Sequence, residues 1–176
     1  MKVNWKTILG WVLLAVLLVA PIGLGWLYNQ FLIYNDVPNT FSLVVAAAFL
    51  VFWFWAGMCY GKRIKNPALA ILLGNLSFLV SAGIYYWQYE FVTQELRNYP
   101  LANFSQLALT PVISLAAKFG VAVGKIIQPN AFFATQLVWD IIIGFGLALV
   151  LGFFCWGYFT LRKRTFGPLR APKKKA

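Results

Sequence analysis

The chain has no histidine, only two cysteines and only four carboxylates. Without histidine, haem ligation by imidazole, histidine-bearing zinc sites and histidine-dependent catalytic triads cannot be built within this chain. Cys59 and Cys155 lie on separate apolar runs, too few to hold a zinc ion or an iron–sulfur cluster alone, and read as free, small apolar side chains. No phosphate-cradling glycine loop occurs, because Gly144 and Gly146 sit inside an apolar run. No metal, no cofactor and no catalytic residue is therefore expected. Charge is scarce as well. Only 11% of the 176 residues are charged, where a soluble surface usually needs about a quarter.

What fills the space is hydrophobic. Apolar residues make up 61% of the chain and the mean hydropathy is +0.74. A bilayer core about 30 Å thick needs roughly 20 consecutive apolar residues per helix. Four runs meet that length, at about 8–28, 41–60, 68–88 and 137–161. The fold class expected is all-α and integral to a membrane: a four-span helical bundle forming one polytopic domain over 1–161, followed by a basic tail over 162–176. The N-terminus resembles a secretory signal, but Leu18 and Pro21 around Ala20 disfavour cleavage, so the first run is read as a retained span.

The basic residues are unevenly placed. Lys2, Lys6, Lys62, Arg63 and Lys65 join the seven basic residues of the tail on one side of a four-span arrangement; Arg97, Lys118 and Lys125 fall on the other. Lysine and arginine near span ends favour the cytoplasm, which predicts a multi-pass cell-membrane protein with both termini inside. The net charge of +11 then points to anionic lipid headgroups at the tail rather than to a specific nucleic acid.

The segment 105–127 is long and apolar but carries Lys118 and Lys125. Thr110, Ser114, Lys118, Lys125 and Gln128 fall along one stripe, the pattern of an amphipathic helix at the interface or of a re-entrant segment before the last span. A fifth crossing here would move basic regions outside and bury a lysine, at about 2.5–3.5 kcal/mol on insertion scales. Gly120 and Gly124 would allow a bend.

Several residues stand out as candidates for function or helix packing. Asp140 is the only acid inside an expected span, although at 1.5 Å per residue it lies about 31 Å from Leu161, near the edge of the hydrocarbon. Gln136, Asp140, Gly144, Ala148 and Gly152 repeat every four residues and form a ridge expected to pack on the third span. Ala70, Gly74, Ser77, Ser81 and Gln88 share one face of that span, with Asn75 turned to another neighbour. Pro21, with Gly23 and Gly25, marks a kink or a binding notch in the first span. Lys118 or Lys125 is a potential ion-pair partner for Asp140. The clustered rings of Phe49, Phe52, Trp53, Phe54 and Trp55 suit a helix exposed to lipid.

These features favour a non-enzymatic accessory or subunit that packs against partner membrane helices, in a hetero-complex or a homo-oligomer, with membrane lipids around it. The alternatives are a small-solute or ion transporter or pore component using Asp140 and the two lysines, and a lipid-handling enzyme using Asp140 or Glu90. The enzyme reading lacks a nucleophile–base pair.

Overall fold

The computed structural model describes residues 5–35, 38–127 and 136–167. These fold into helices α1 (Trp5–Tyr34), α2 (Asn39–Arg63), α3 (Pro67–Gly74), α4 (Leu76–Tyr86), α5 (Tyr99–Gln106), α6 (Thr110–Ile127) and α7 (Gln136–Phe166). A π-helical turn, Trp87–Phe91, extends α4, and no strand occurs among the described residues.

Four helices are long and apolar enough to cross a membrane: α1 over Thr7–Leu32, then α2, α6 and α7. The count of four agrees with the sequence, and among the described residues it rises to five if the bent pair α3–α4, which passes the same test together, is one span. The expected span at 68–88 is bent by 61° between α3 and α4, whereas α6, expected to be amphipathic, qualifies by length and composition. The bend has a local cause. Asn75 sits at φ −110° and ψ 13°, outside helical values, and its side-chain amide donates to the Ile71 carbonyl at 3.0 Å. Its backbone N–H donates to the same carbonyl at 3.1 Å, so the side chain shares the ladder's acceptor at the bend. The short connection before α3 is set by Asn66, whose Oδ1 accepts from the Ala68 and Leu69 amides, with Pro67 opening the helix.

Helix ends also differ from expectation. The first loop, read at 29–40, shrinks because α1 continues to Tyr34. At the other terminus α7 runs through Arg162, Lys163 and Arg164 to Phe166, so the tail begins as helix. Asp36, Gln128 and residues 168–176 lie outside the described residues.

Close contacts give the helix directions. Gly57 meets Phe154 and Tyr158, Gly61 meets Tyr158 and Arg162, and Gly157 meets Phe54 and Met58, so α2 and α7 run parallel at backbone contact. A Cβ at any of these three glycines would overlap a carbonyl of the facing helix. Helix α1 is antiparallel to α2: the Tyr60 hydroxyl donates to the Leu14 carbonyl at 2.9 Å, while Leu24 and Tyr28 share a cavity with Val45 and Phe49. The α3–α4 pair is antiparallel to α7, with Gly74 on Phe154 and Tyr86 on Gly144.

Helix α6 is also antiparallel to α7. Gly124 packs on Val138, Gly120 on Ile142, and Ala116, Val112 and Leu109 around Gly146. The two glycines of α6 are therefore sites of close approach rather than of a bend. From 109 to 124 the chain advances fifteen positions while the facing part of α7 advances only eight, 138 to 146, so the crossing is oblique. The turn 107–109 before α6 is buried in the bundle, where the Leu107 carbonyl lies against Gly25 of α1. From Gly146 to Arg162 the chain of α7 continues for sixteen residues, about 24 Å at 1.5 Å each, beyond the reach of that turn. Helices α5 and α6 thus enter and leave the bundle at its Gln136 end.

The core is aromatic. Trp53 and Phe49 stack at 6.0 Å, Phe78 meets Trp53 edge-on at 5.0 Å, and Phe154 lies 6.0 Å from Trp53. This corrects the lipid-exposed reading of the α2 ring cluster: Phe49 and Trp53 are buried, Phe52 and Phe54 half-buried, and Trp55 exposed.

Candidate functional site

The densest polar grouping lies at the Gln136 end, where α4, its π-helical turn, α5 and α7 converge. The π turn, wider than an α turn, carries Gln88 into the interior, where it is 2% exposed. Its Oε1 accepts from the Asn98 amide at 2.9 Å, and its backbone carbonyl accepts from Arg97 Nε at 2.9 Å. Arg97 also lies over the Tyr89 ring, 4.4 Å from the centroid. One glutamine thereby fastens the loop 92–98 and sets the start of α5, whose cap is Asn98 Oδ1 accepting from the Leu101 amide.

On the facing side, Gln136 Nε2 donates to Asp140 Oδ1 at 3.1 Å and to the Tyr85 hydroxyl oxygen at 3.3 Å. The Tyr86 hydroxyl donates to the Asp140 backbone carbonyl at 3.2 Å. Gln106 Nε2 donates to the Tyr89 hydroxyl oxygen at 3.2 Å. Between these groups is a cavity of about 340 Å³ lined by Tyr85, Tyr89, Asn103, Gln106, Gln136 and Trp139. Among the described residues, carboxamides, phenols and one indole line it. It is equipped to bind by hydrogen bonding, and its lining offers no activated nucleophile. No cluster of three metal-ligating side chains occurs among the described residues.

The sequence-derived candidates separate into three groups. Gln136 and Asp140 join the polar cluster, and Gly144 lies 3.6 Å beneath the Tyr86 hydroxyl for any added Cβ. The upper half of the expected ridge therefore faces α4, whereas Ala148 and Gly152 are exposed and nothing stands over Gly152. Ser77, Ser81 and Asn75 are buried with the rest of the α3–α4 stripe; the Ser77 hydroxyl has no partner, and Asn75 Oδ1 accepts from Trp53 Nε1 at 3.0 Å. Pro21 is buried within a continuous α1, and the notch near it is filled by the chain's own turn at Leu107. Lys118 and Lys125 are exposed on α6. The lower stretch of α7 that does pack uses Ile143, Gly146, Val150, Phe154 and Gly157, a different face.

Other residues escaped the sequence reading. Gly57 and Gly61 are four apart, a small-xxx-small spacing that signals close helix approach. Tyr158 donates to the Ile64 carbonyl at 3.0 Å, and Arg162, 6% exposed, donates to the carbonyls of Lys65 and Gly167. No local pattern marks these two. A second cavity, about 560 Å³, lies between α1, α2 and Pro111 and is apolar but for the Tyr28 hydroxyl, which is buried without a partner.

No protein-family model matches this chain, and neither does any curated protein or solved structure.

Proposed function

We propose that this chain is a multi-pass membrane protein that acts as a non-enzymatic subunit, using its open small-residue faces to dock partner helices. The observation that carries this reading is the split of the α7 ridge. Gly144 is engaged within the chain, while Ala148 and Gly152 face outward with open space above Gly152. Gly83 on α4 is likewise exposed with nothing near it. Trp156 and Trp87, 63% and 53% exposed, stand one turn away and turn the small residues into notches. Small residues let membrane helices approach closely, so such notches fit a partner helix.

In this reading the Arg162 end is cytoplasmic, as the positive-inside rule requires. Helices α1, α2, α3–α4 and α7 cross, and α5–α6 forms a re-entrant hairpin opening to the exterior. That arrangement keeps both termini on one side and accounts for the shallow position of the 107–109 turn. Transport through this chain alone is the weaker reading. Below the polar cluster the core is dominated by Ile143, Val150, Phe154 and Phe78, and its buried polar groups Ser81, Ser77 and Asn75 are uncharged.

Copurification in mild detergent tests the proposal. The native chain should recover a stoichiometric partner or a second copy of itself. Gly152→Leu should abolish that recovery while leaving a monodisperse, folded chain, because the side chain enters open space. A native chain that is always monomeric and partnerless contradicts the proposal.

A further inference from the structure

The polar cavity at the Gln136 end has a chemical bias that partner docking does not use. Gln106 and Gln136 both direct their side-chain N–H groups to tyrosine oxygens, Gln136 also to Asp140. Among the described residues no group donates to their Oε1 atoms, and both residues line the cavity. The Asp140 carboxyl stands beside it, held by the lining residue Gln136, and a carboxylate only accepts hydrogen bonds. No lysine or arginine contributes to the lining. Arg97 is held elsewhere, on the Tyr89 ring and the Gln88 carbonyl. Trp139, 40% exposed, adds an indole wall, the ring type on which cations settle best. A cavity of about 340 Å³ lies within the range of small-molecule sites, roughly 300–1,000 Å³. It is rich in acceptors, negatively flanked and partly aromatic.

We propose that this cavity is a binding site for a small organic ammonium ion, whose N–H groups donate to the glutamine carbonyls and the Asp140 carboxylate while its carbon body lies on Trp139. Neutral molecules of the same shape lack the charge, and anions lack the donors and meet the Asp140 carboxylate.

The test uses the full chain purified in detergent, titrated with n-butylammonium chloride, with 1-butanol and matched sodium chloride as controls. Tryptophan fluorescence is read in the native chain and in Trp139→Phe, so that the signal from Trp139 is isolated. The expected result is a saturable, Trp139-dependent change with n-butylammonium and none with 1-butanol. Asp140→Asn, nearly isosteric, should weaken binding about tenfold, equivalent to about 1.4 kcal/mol. Gln106→Leu, on a different helix, should weaken it as well and serves if Asp140→Asn is not recovered as a monodisperse protein. Lys163→Gln, at the opposite end of α7, should leave it unchanged. Equal responses to butanol and butylammonium, no saturable response, or unchanged affinity in Gln106→Leu or a folded Asp140→Asn would overturn the proposal.

Discussion

Trp53 and Asn75 show how one polar contact shapes a helix. Asn75 keeps its backbone bonds at non-helical torsions, its side-chain amide also holds the Ile71 carbonyl, and its oxygen takes the indole N–H of Trp53 in a fully buried setting. Trp53→Phe keeps most of the ring packing and removes the donor. The Asn75 oxygen is then buried and unsatisfied, which costs about 1–3 kcal/mol. Thermal unfolding in detergent should show that loss for Trp53→Phe and a smaller one when Asn75→Leu is added, because the orphaned acceptor goes with it. Equal or greater loss in the double variant would rule out the hydrogen bond as the link. Asn75 was visible in the sequence as a polar residue off the main stripe, but its partner was not. Trp53 lies 22 residues away among four other rings, and nothing in the local pattern distinguishes it from Phe52 or Trp55.

At the scale of elements, periodicity carried part of the packing. The stripe Ala70, Gly74, Ser77, Ser81 and Gln88 is buried throughout despite the bend, because each residue's face is set by spacing within its own helical segment. The α7 ridge was legible only in its upper half. A 31-residue helix that is apolar all round carries more than one small-residue ridge, and spacing alone does not choose between Gly144–Gly152 and Gly146–Gly157. Contact with α2 makes that choice, through Gly57 and Gly61. The consequence is a contrast between glycines. Gly57→Val forces a methyl group into the Phe154 carbonyl and should cost at least the ~1–3 kcal/mol of an overpacked core. Gly152→Val has open space and should stay within about 0.5 kcal/mol. Comparable destabilisation of both in detergent unfolding would refute the parallel α2–α7 contact.

For the whole molecule, the four apolar runs were enough to predict the all-helical architecture. The polar cluster was harder to read. Asp140 and Gln136 were recognisable on α7, but Tyr85, Tyr89, Asn103 and Gln106 come from three other segments and meet only through the π turn and the loop fixed by Gln88. The path of 105–127 was ambiguous in sequence because length and apolarity suit a crossing while its lysines do not. The contacts of Leu107 with Gly25 and of Leu109 with Gly146 favour a hairpin that turns within the bundle. Side-specific labelling of introduced thiols tests that arrangement most directly. In intact cells carrying a Cys59→Ala, Cys155→Ala background, an impermeant maleimide should reach single cysteines at Tyr99 and at Ile127. It should reach one at Thr165 only after permeabilisation. Labelling of Tyr99 and Ile127 from opposite sides, or of Thr165 from the exterior, would contradict the account.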